Sequence, residues 1–158
     1  MIENYQDKKI IAVIGGRETS PEIYKQAEEV GRLIAESGNI LINGGRTGIM
    51  EAASKGAHLA DGFTIGILPG TRKDGANKWV DVVLTTGIGL ARNAVIVNSC
   101  DAAIAIDGRY GTLSEIAYCF QFDKPVCSLS SWNIEGVTSV SNPEEAVNSA
   151  NIPAGSLI

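Results

Sequence analysis

The sequence predicts a three-layer α/β domain, a mostly parallel sheet with helices on both faces, and three observations predict it. Short apolar runs of the kind buried on both faces recur at Lys9–Gly15, Ile40–Ile42, Thr64–Leu68 and Ala102–Ile106. Stretches with a helical apolar stripe separate the runs, which is the spacing of βαβ units. Three of the strand ends run into glycine-rich turns: Gly15-Gly16, Gly44-Gly45-x-x-Gly48 and Gly108-x-x-Gly111-Thr112. In a parallel sheet these turns share the carboxyl edge, where ligands bind near the switch in strand order.

Taken in order, the first strand ends at Gly15-Gly16-Arg17. Ser20-Pro21 then reads as an N-cap followed by proline at the first helical position. Ile23, Ala27, Val30 and Ile34 form the stripe of that helix, which Gly38 ends. A second helix is expected from about Ile49 to Asp61, with Ala52, Ala53, Gly56, Ala57 and Ala60 small enough for close packing on a sheet. Thr71 to Trp79 reads as a mobile surface loop, and Val80–Thr85 as a strand or half-strand. Leu90–Cys100 reads as a helix that is apolar nearly all round, so burial between the sheet and a further layer, such as a subunit partner, is expected. The next helix is expected from Thr112 to Phe122, followed by a strand at Pro125–Leu129, an edge strand at Gly136–Val140 and a short helix at Asn142–Asn148. The tail from Ile152 to Ile158 carries no readable pattern.

The length of 158 residues predicts one domain spanning 1–158, with an ordinary core. With 44% apolar and 20% charged residues, the composition excludes a disordered chain. A net charge of −5, with no basic run longer than Lys8-Lys9 or Arg72-Lys73, argues against nucleic acid as a partner. A small anion remains compatible with an acidic chain, because a few arginines and helix N-termini suffice to hold it. Cys100, Cys119 and Cys127 form no C-x-x-C pair and there is a single histidine, His58, so no metal site is expected. The thiols are expected reduced and buried. The Met1–Asp7 segment lacks a signal-peptide layout, and no apolar run approaches the roughly 18 residues of a membrane helix. The expected location is the cytoplasm, without a membrane partner.

No single glycine turn is diagnostic. Neither G-x-G-x-x-G nor G-x-x-x-x-G-K-[ST] occurs, and each turn taken alone is equally explained as a tight βα connection. Hydroxyls at two helix starts on one edge, Thr47 and Thr112, favour a phosphate or nucleotide site over coincidence. The candidate binding set is Gly15, Gly16, Gly44, Gly45, Arg46, Thr47, Gly48, Asp107, Gly108, Arg109, Tyr110, Gly111 and Thr112. Arg92, in a mostly apolar helix, must either pair at the helix edge or face a polar pocket. Glu115, expected in the first turn of its helix, either caps that turn or serves a ligand. Together Arg92 and Glu115 form an arginine–carboxylate pair suited to a phosphoribosyl group and to a cation developing at C1′. His58 reads as an ordinary histidine, and Trp79 and Trp132 as cover for the core.

The order Gly44-Gly45-x-x-Gly48-Ile49-Met50, a helix bearing Arg92, then Gly108-x-x-Gly111-Thr112-x-x-Glu115, resembles the LONELY GUY-type, Rossmann-like proteins. That group includes cytokinin-activating phosphoribohydrolases, molybdenum cofactor carrier proteins and members mislabelled as lysine decarboxylases. The resemblance runs from Ile10 to about Val126. It implies a homodimer or homotetramer, a small phosphorylated ligand at the glycine turns, and a bound nucleotide or molybdenum cofactor as the candidate occupant. The phosphoribohydrolases carry P-G-G-x-G-T-x-x-E and an Arg-Lys pair, where this chain has Asp107 and Arg109 within the turn and Arg92-Asn93 in the helix. The pattern is closer to the carrier branch, so the expected function is nucleotide or phosphorylated-cofactor binding. The alternatives are a phosphoribohydrolase cleaving the N-glycosidic bond of nucleoside 5′-monophosphates, with Arg92 and Glu115 catalytic, and a non-catalytic oligomeric scaffold. No lysine lies in a pyridoxal phosphate context, so decarboxylation is not expected.

Overall fold

The computed structural model describes residues 4–152. The expectations for Met1–Glu3 and for most of the tail beyond Ile152 lie outside the described residues. The strands are β1 (Ile10–Gly15), β2 (Ile40–Asn43), β3 (Phe63–Leu68), β4 (Val82–Thr85), β5 (Ala102–Ile106), β6 (Val126–Leu129) and β7 (Thr138–Val140). They form one sheet in the order β4-β3-β2-β1-β5-β6-β7, and every neighbouring pair is parallel. The helices are α1 (Pro21–Glu36), α2 (Ile49–Leu59), α3 (Arg92–Ser99), α4 (Tyr110–Gln121) and α5 (Pro143–Asn151).

Side-chain alternation along the strands builds two cores. Ile11 and Val13 of β1 face α1, α2 and α5, while Ala12 and Ile14 face α3 and α4. The stripe expected on α1 is the one buried, since Ala27, Val30 and Ile34 are fully inaccessible. Each large aliphatic side chain so placed contributes about 1.5–3 kcal/mol relative to exposure. The Ile23 N–H donates to Ser20 Oγ at 3.3 Å and the Glu145 N–H to Asn142 Oδ1 at 2.9 Å, so α1 and α5 start where capping chemistry puts them. All three cysteines are free and buried, and burial pushes the Cys119 and Cys127 thiols up to about 12.

Four expectations need correction. The Thr71–Trp79 segment is pinned rather than loose: Lys73–Gly75 forms a 3-10 turn, and Asn77 donates its N–H to the Gly45 carbonyl and its Nδ2 to the Arg46 carbonyl, each at 2.8 Å. The helix expected over Leu90–Cys100 begins as a 3-10 turn at Gly89–Ala91 and is α-helical only over Arg92–Ser99. It is buried on one side, through Arg92, Asn93, Ile96 and Val97, while Leu90 stands 75% exposed, so its outer side is open in the single chain. The following helix starts at Tyr110 instead of Thr112, which puts Glu115 in the second turn and removes its capping role. The left-handed φ of +92° at Gly108 swings the chain into helix two residues early.

Chain topology positions the site. The chain leaves the centre at β1, builds outward to β4, then returns to pair β5 against β1 with Gly15 beside Ile106. The switch in strand order therefore lies between β1 and β5, at the carboxyl ends that carry two of the glycine turns.

Candidate functional site

A cavity of about 740 Å³ opens at this switch point. Of the candidate binding residues, Gly15, Gly16, Gly44, Asp107, Gly108, Arg109, Gly111 and Thr112 line it, as do Arg92 and Glu115. Gly45, Arg46, Thr47, Gly48 and Tyr110 do not line it. Thr47 instead donates its hydroxyl to the Arg17 carbonyl at 3.0 Å, and the Ile49 N–H donates to the Gly16 carbonyl, so the second turn braces the first. Tyr110 is 80% exposed and tilts against Trp132, with ring centroids 6.3 Å apart. Trp132 packs on the α4-side core as expected, and its Nε1 also donates to the Arg109 carbonyl at 3.1 Å.

Each turn is held by its own polar contacts. Asn43 is fully buried at the end of β2; its Nδ2 donates to the Met50 carbonyl and to Ser54 Oγ, and its Oδ1 accepts the Gly45 N–H at 2.8 Å. Asp107 adopts a φ of +50°; its carboxylate accepts from the Thr19 hydroxyl at 2.9 Å and its carbonyl from Ser131. Glycine is required at position 108, where an added Cβ would lie 2.0 Å from Thr112 Oγ1 in a left-handed backbone. At position 44 an added Cβ would lie 2.7 Å from both Arg92 Nη2 and Met50 Sδ, so a larger residue would displace those side chains.

Arg92 is the unusual group. It is 7% exposed, its Nη1 donates to Asn93 Oδ1, and its Nε has no hydrogen-bond partner among the described residues. Asn93 in turn donates to Ser114 Oγ at 3.1 Å, a relay that orients the guanidinium without neutralising it. Burial lowers the Arg92 pKa from its usual range, Glu115 partly offsets this, and Arg17 and Arg46 add to the lowering. The group stays charged, since a guanidinium does not deprotonate in proteins. Glu115 is 6% exposed and burial pushes it up to about 8 against the pull of Arg92. The two line one cavity yet form no direct ion pair among the described residues. A buried cation with an unmet donor, beside a carboxyl that burial pushes towards its neutral form, is arranged to receive an anion.

Arg17, Glu18, Thr19, Met50, Leu90 and Asn93 also line the cavity and were not among the candidates. The visible signal for Arg17 was its place directly after Gly15-Gly16 at a strand end. For Asn43 it was a polar residue closing an otherwise apolar strand. His58 lies on α2, away from the cavity, half-exposed and tilted against Trp79 with ring centroids 5.6 Å apart. Among the described residues no group of three or more His, Cys, Asp or Glu side chains could hold a metal ion, and no helix is long and apolar enough to cross a membrane.

Comparison with known proteins agrees with this architecture. An uncharacterised protein from Archaeoglobus fulgidus is 48% identical over 139 residues, 87% of this chain and 91% of that protein. The cytokinin riboside 5′-monophosphate phosphoribohydrolase of Mycobacterium marinum is 30% identical over 72% of this chain, and the match spans 66% of that enzyme. Among solved structures, the molybdenum cofactor binding protein of Rippkaea orientalis superposes with a TM-score of 0.86 at 38% identity, covering 90% of this chain and 95% of that one. The molybdenum cofactor carrier protein of Chlamydomonas reinhardtii gives 0.83 at 32% identity, over 90% and 95%. The SLOG cluster4 family model matches residues 8–155, and the chain, Rossmann-like in fold, belongs to that family.

Proposed function

We propose that the protein binds a phosphorylated, nucleotide-type small molecule in the switch-point cavity and holds it without cleaving it. The observation that carries this is Arg92, buried, cationic and with an unmet Nε donor, lining a cavity floored by glycine turns. A phosphate supplies the missing acceptors. Molybdenum cofactor, a phosphorylated pterin, fits the same chemistry: Arg92 and the Gly108–Thr112 turn would hold its phosphate. Among the described residues no Cys or His lines the cavity, so the metal would keep the ligands that the cofactor brings. The likeness to molybdenum cofactor proteins supports this reading.

Phosphoribohydrolysis is the second reading, favoured by Arg92 and Glu115 facing one cavity and by the likeness to cytokinin-activating enzymes. It needs a carboxylate to support an oxocarbenium-like transition state. Burial pushes the Glu115 carboxyl up to about 8, so at pH 7 it offers such a transition state less anionic charge than an ordinary glutamate. Incubating the protein with AMP, followed by calorimetry and chromatography, separates the readings. Binding with intact AMP recovered at pH 7 is expected; release of adenine supports the hydrolase, and no binding sinks both.

We also propose self-association through the face shared by β4 and α3. Val82 and Leu84 pair in register with Ile65 and Ile67, which face the α3-side core, yet they are 37% and 50% exposed. Ile88, Leu90 and Val95 extend this apolar surface. Between Val82 and Ser99 the only charged residue is Arg92, which is buried. A second copy of a chain with net charge −5 meets no like charge on this segment. Light scattering is expected to show a dimer or tetramer that Leu84→Glu with Ile88→Glu converts to monomer. A monomeric unmodified protein would refute it.

A further inference from the structure

The chain has six arginines, and their partners divide them sharply. Arg32 is ion-paired with Glu29 and Glu36, and Arg72 with Asp74, all away from the cavity. The other four, Arg17, Arg46, Arg92 and Arg109, have no carboxylate partner among the described residues. Three of these line the cavity, and the fourth, Arg46, follows Gly44-Gly45 closely enough to act on Arg92. An acidic protein thus keeps its unpaired arginines at one sheet edge.

They occupy two levels. Arg92 is buried within the cavity, whereas Arg17 and Arg109 are exposed on the turns after β1 and β5, on either side of the strand switch. Backbone alone separates those turns: a Cβ added at Gly16 would lie 3.4 Å from Gly108 Cα. Glycine backbones of this kind let a phosphate chain come close. The opposing carboxyls are few. Three share this edge: Asp107, whose carboxylate is turned to the Thr19 hydroxyl, the exposed Glu18, and Glu115, which burial pushes up to about 8. One phosphate on Arg92 leaves the rim arginines unmatched.

We infer that the site recognises a ligand with two linked phosphates, a nucleoside diphosphate or a nucleotide carrying a pyrophosphate, with one phosphate on Arg92 and the second on Arg17 and Arg109 across the Gly16–Gly108 saddle. This rests on the reading of the cavity as a phosphate site and narrows its ligand class. Two guanidinium forks, each able to bond a phosphate bidentately, set the discrimination.

Calorimetric titrations with ADP and AMP at fixed ionic strength test it. ADP is expected to bind at least tenfold more tightly than AMP. Combining Arg17→Ala with Arg109→Ala is expected to weaken ADP binding at least tenfold more than it weakens AMP binding. Both side chains are exposed, so an unchanged melting temperature will show that the fold survives. Equal affinity for the two nucleotides in the unmodified protein overturns this inference and leaves the phosphate site standing, as does equal loss of both in the double variant. Absence of binding by either nucleotide overturns both.

Discussion

Arg92→Met is expected to raise the melting temperature while abolishing nucleotide binding. Among the described residues the buried guanidinium has no ion pair and its Nε no acceptor, so the folded chain carries a desolvation cost that methionine removes. Met spans a similar stem, and Asn93 loses one donor while keeping its bond to Ser114. The net gain is about 1–3 kcal/mol, on the scale of other relieved functional sites. For a chain of this size that is a rise of roughly 2–4 °C per kcal/mol. Losing a buried charge-assisted contact to phosphate costs about 2–5 kcal/mol of binding, or upwards of thirtyfold. Thermal melts and AMP titrations of the same sample check both halves. A variant that is less stable yet still binds would make Arg92 a structural residue.

Glu115 gives the second large effect, through pH. Its folded pKa is raised from 4.5 to about 8, so between those values the native state holds a proton that the unfolded chain releases. Stability contributed by this group is therefore full below about pH 4.5, falls as pH rises, and levels off above about 8, with a slope of about 1.4 kcal/mol per pH unit at most. Glu115→Gln keeps the shape and cannot ionise, so this part of the pH dependence should vanish. At pH 8 the variant is expected to be more stable than the unmodified protein by several kcal/mol, and near pH 4 the two should match. Urea melts from pH 4 to 9 measure this. Parallel pH profiles for the two proteins would mean that Glu115 is ionised in the fold, and would return weight to the hydrolase reading.

The layers were legible in the sequence because both faces of a parallel strand are buried, which leaves runs such as Ile10–Ile14 and Ala102–Ile106 without polar interruption. Helix starts were legible where a side chain caps them, as at Ser20 and Asn142, and misplaced by two residues where a glycine's left-handed backbone decides, as at Gly108. The glycine turns pointed to the right sheet edge. Strand order, which decides which turns meet at the switch, comes from long-range pairing of β1 with β5 and has no local signature. This is why Arg46 and Thr47 entered the candidate set beside Gly44 while Arg17, on the turn that meets Gly108, did not. The open outer side of α3 has the same cause: its composition is apolar, but only the packed fold shows which side the sheet covers.

The cavity is expected to hold a phosphorylated nucleotide intact. The most direct measurement mixes AMP with an excess of protein at pH 7 and analyses the nucleotide by chromatography after prolonged incubation. The expected result is AMP retained by the protein and recovered whole after denaturation, with retention lost in Arg92→Met. Free adenine in proportion to AMP, or AMP that never associates with the protein, would contradict the account.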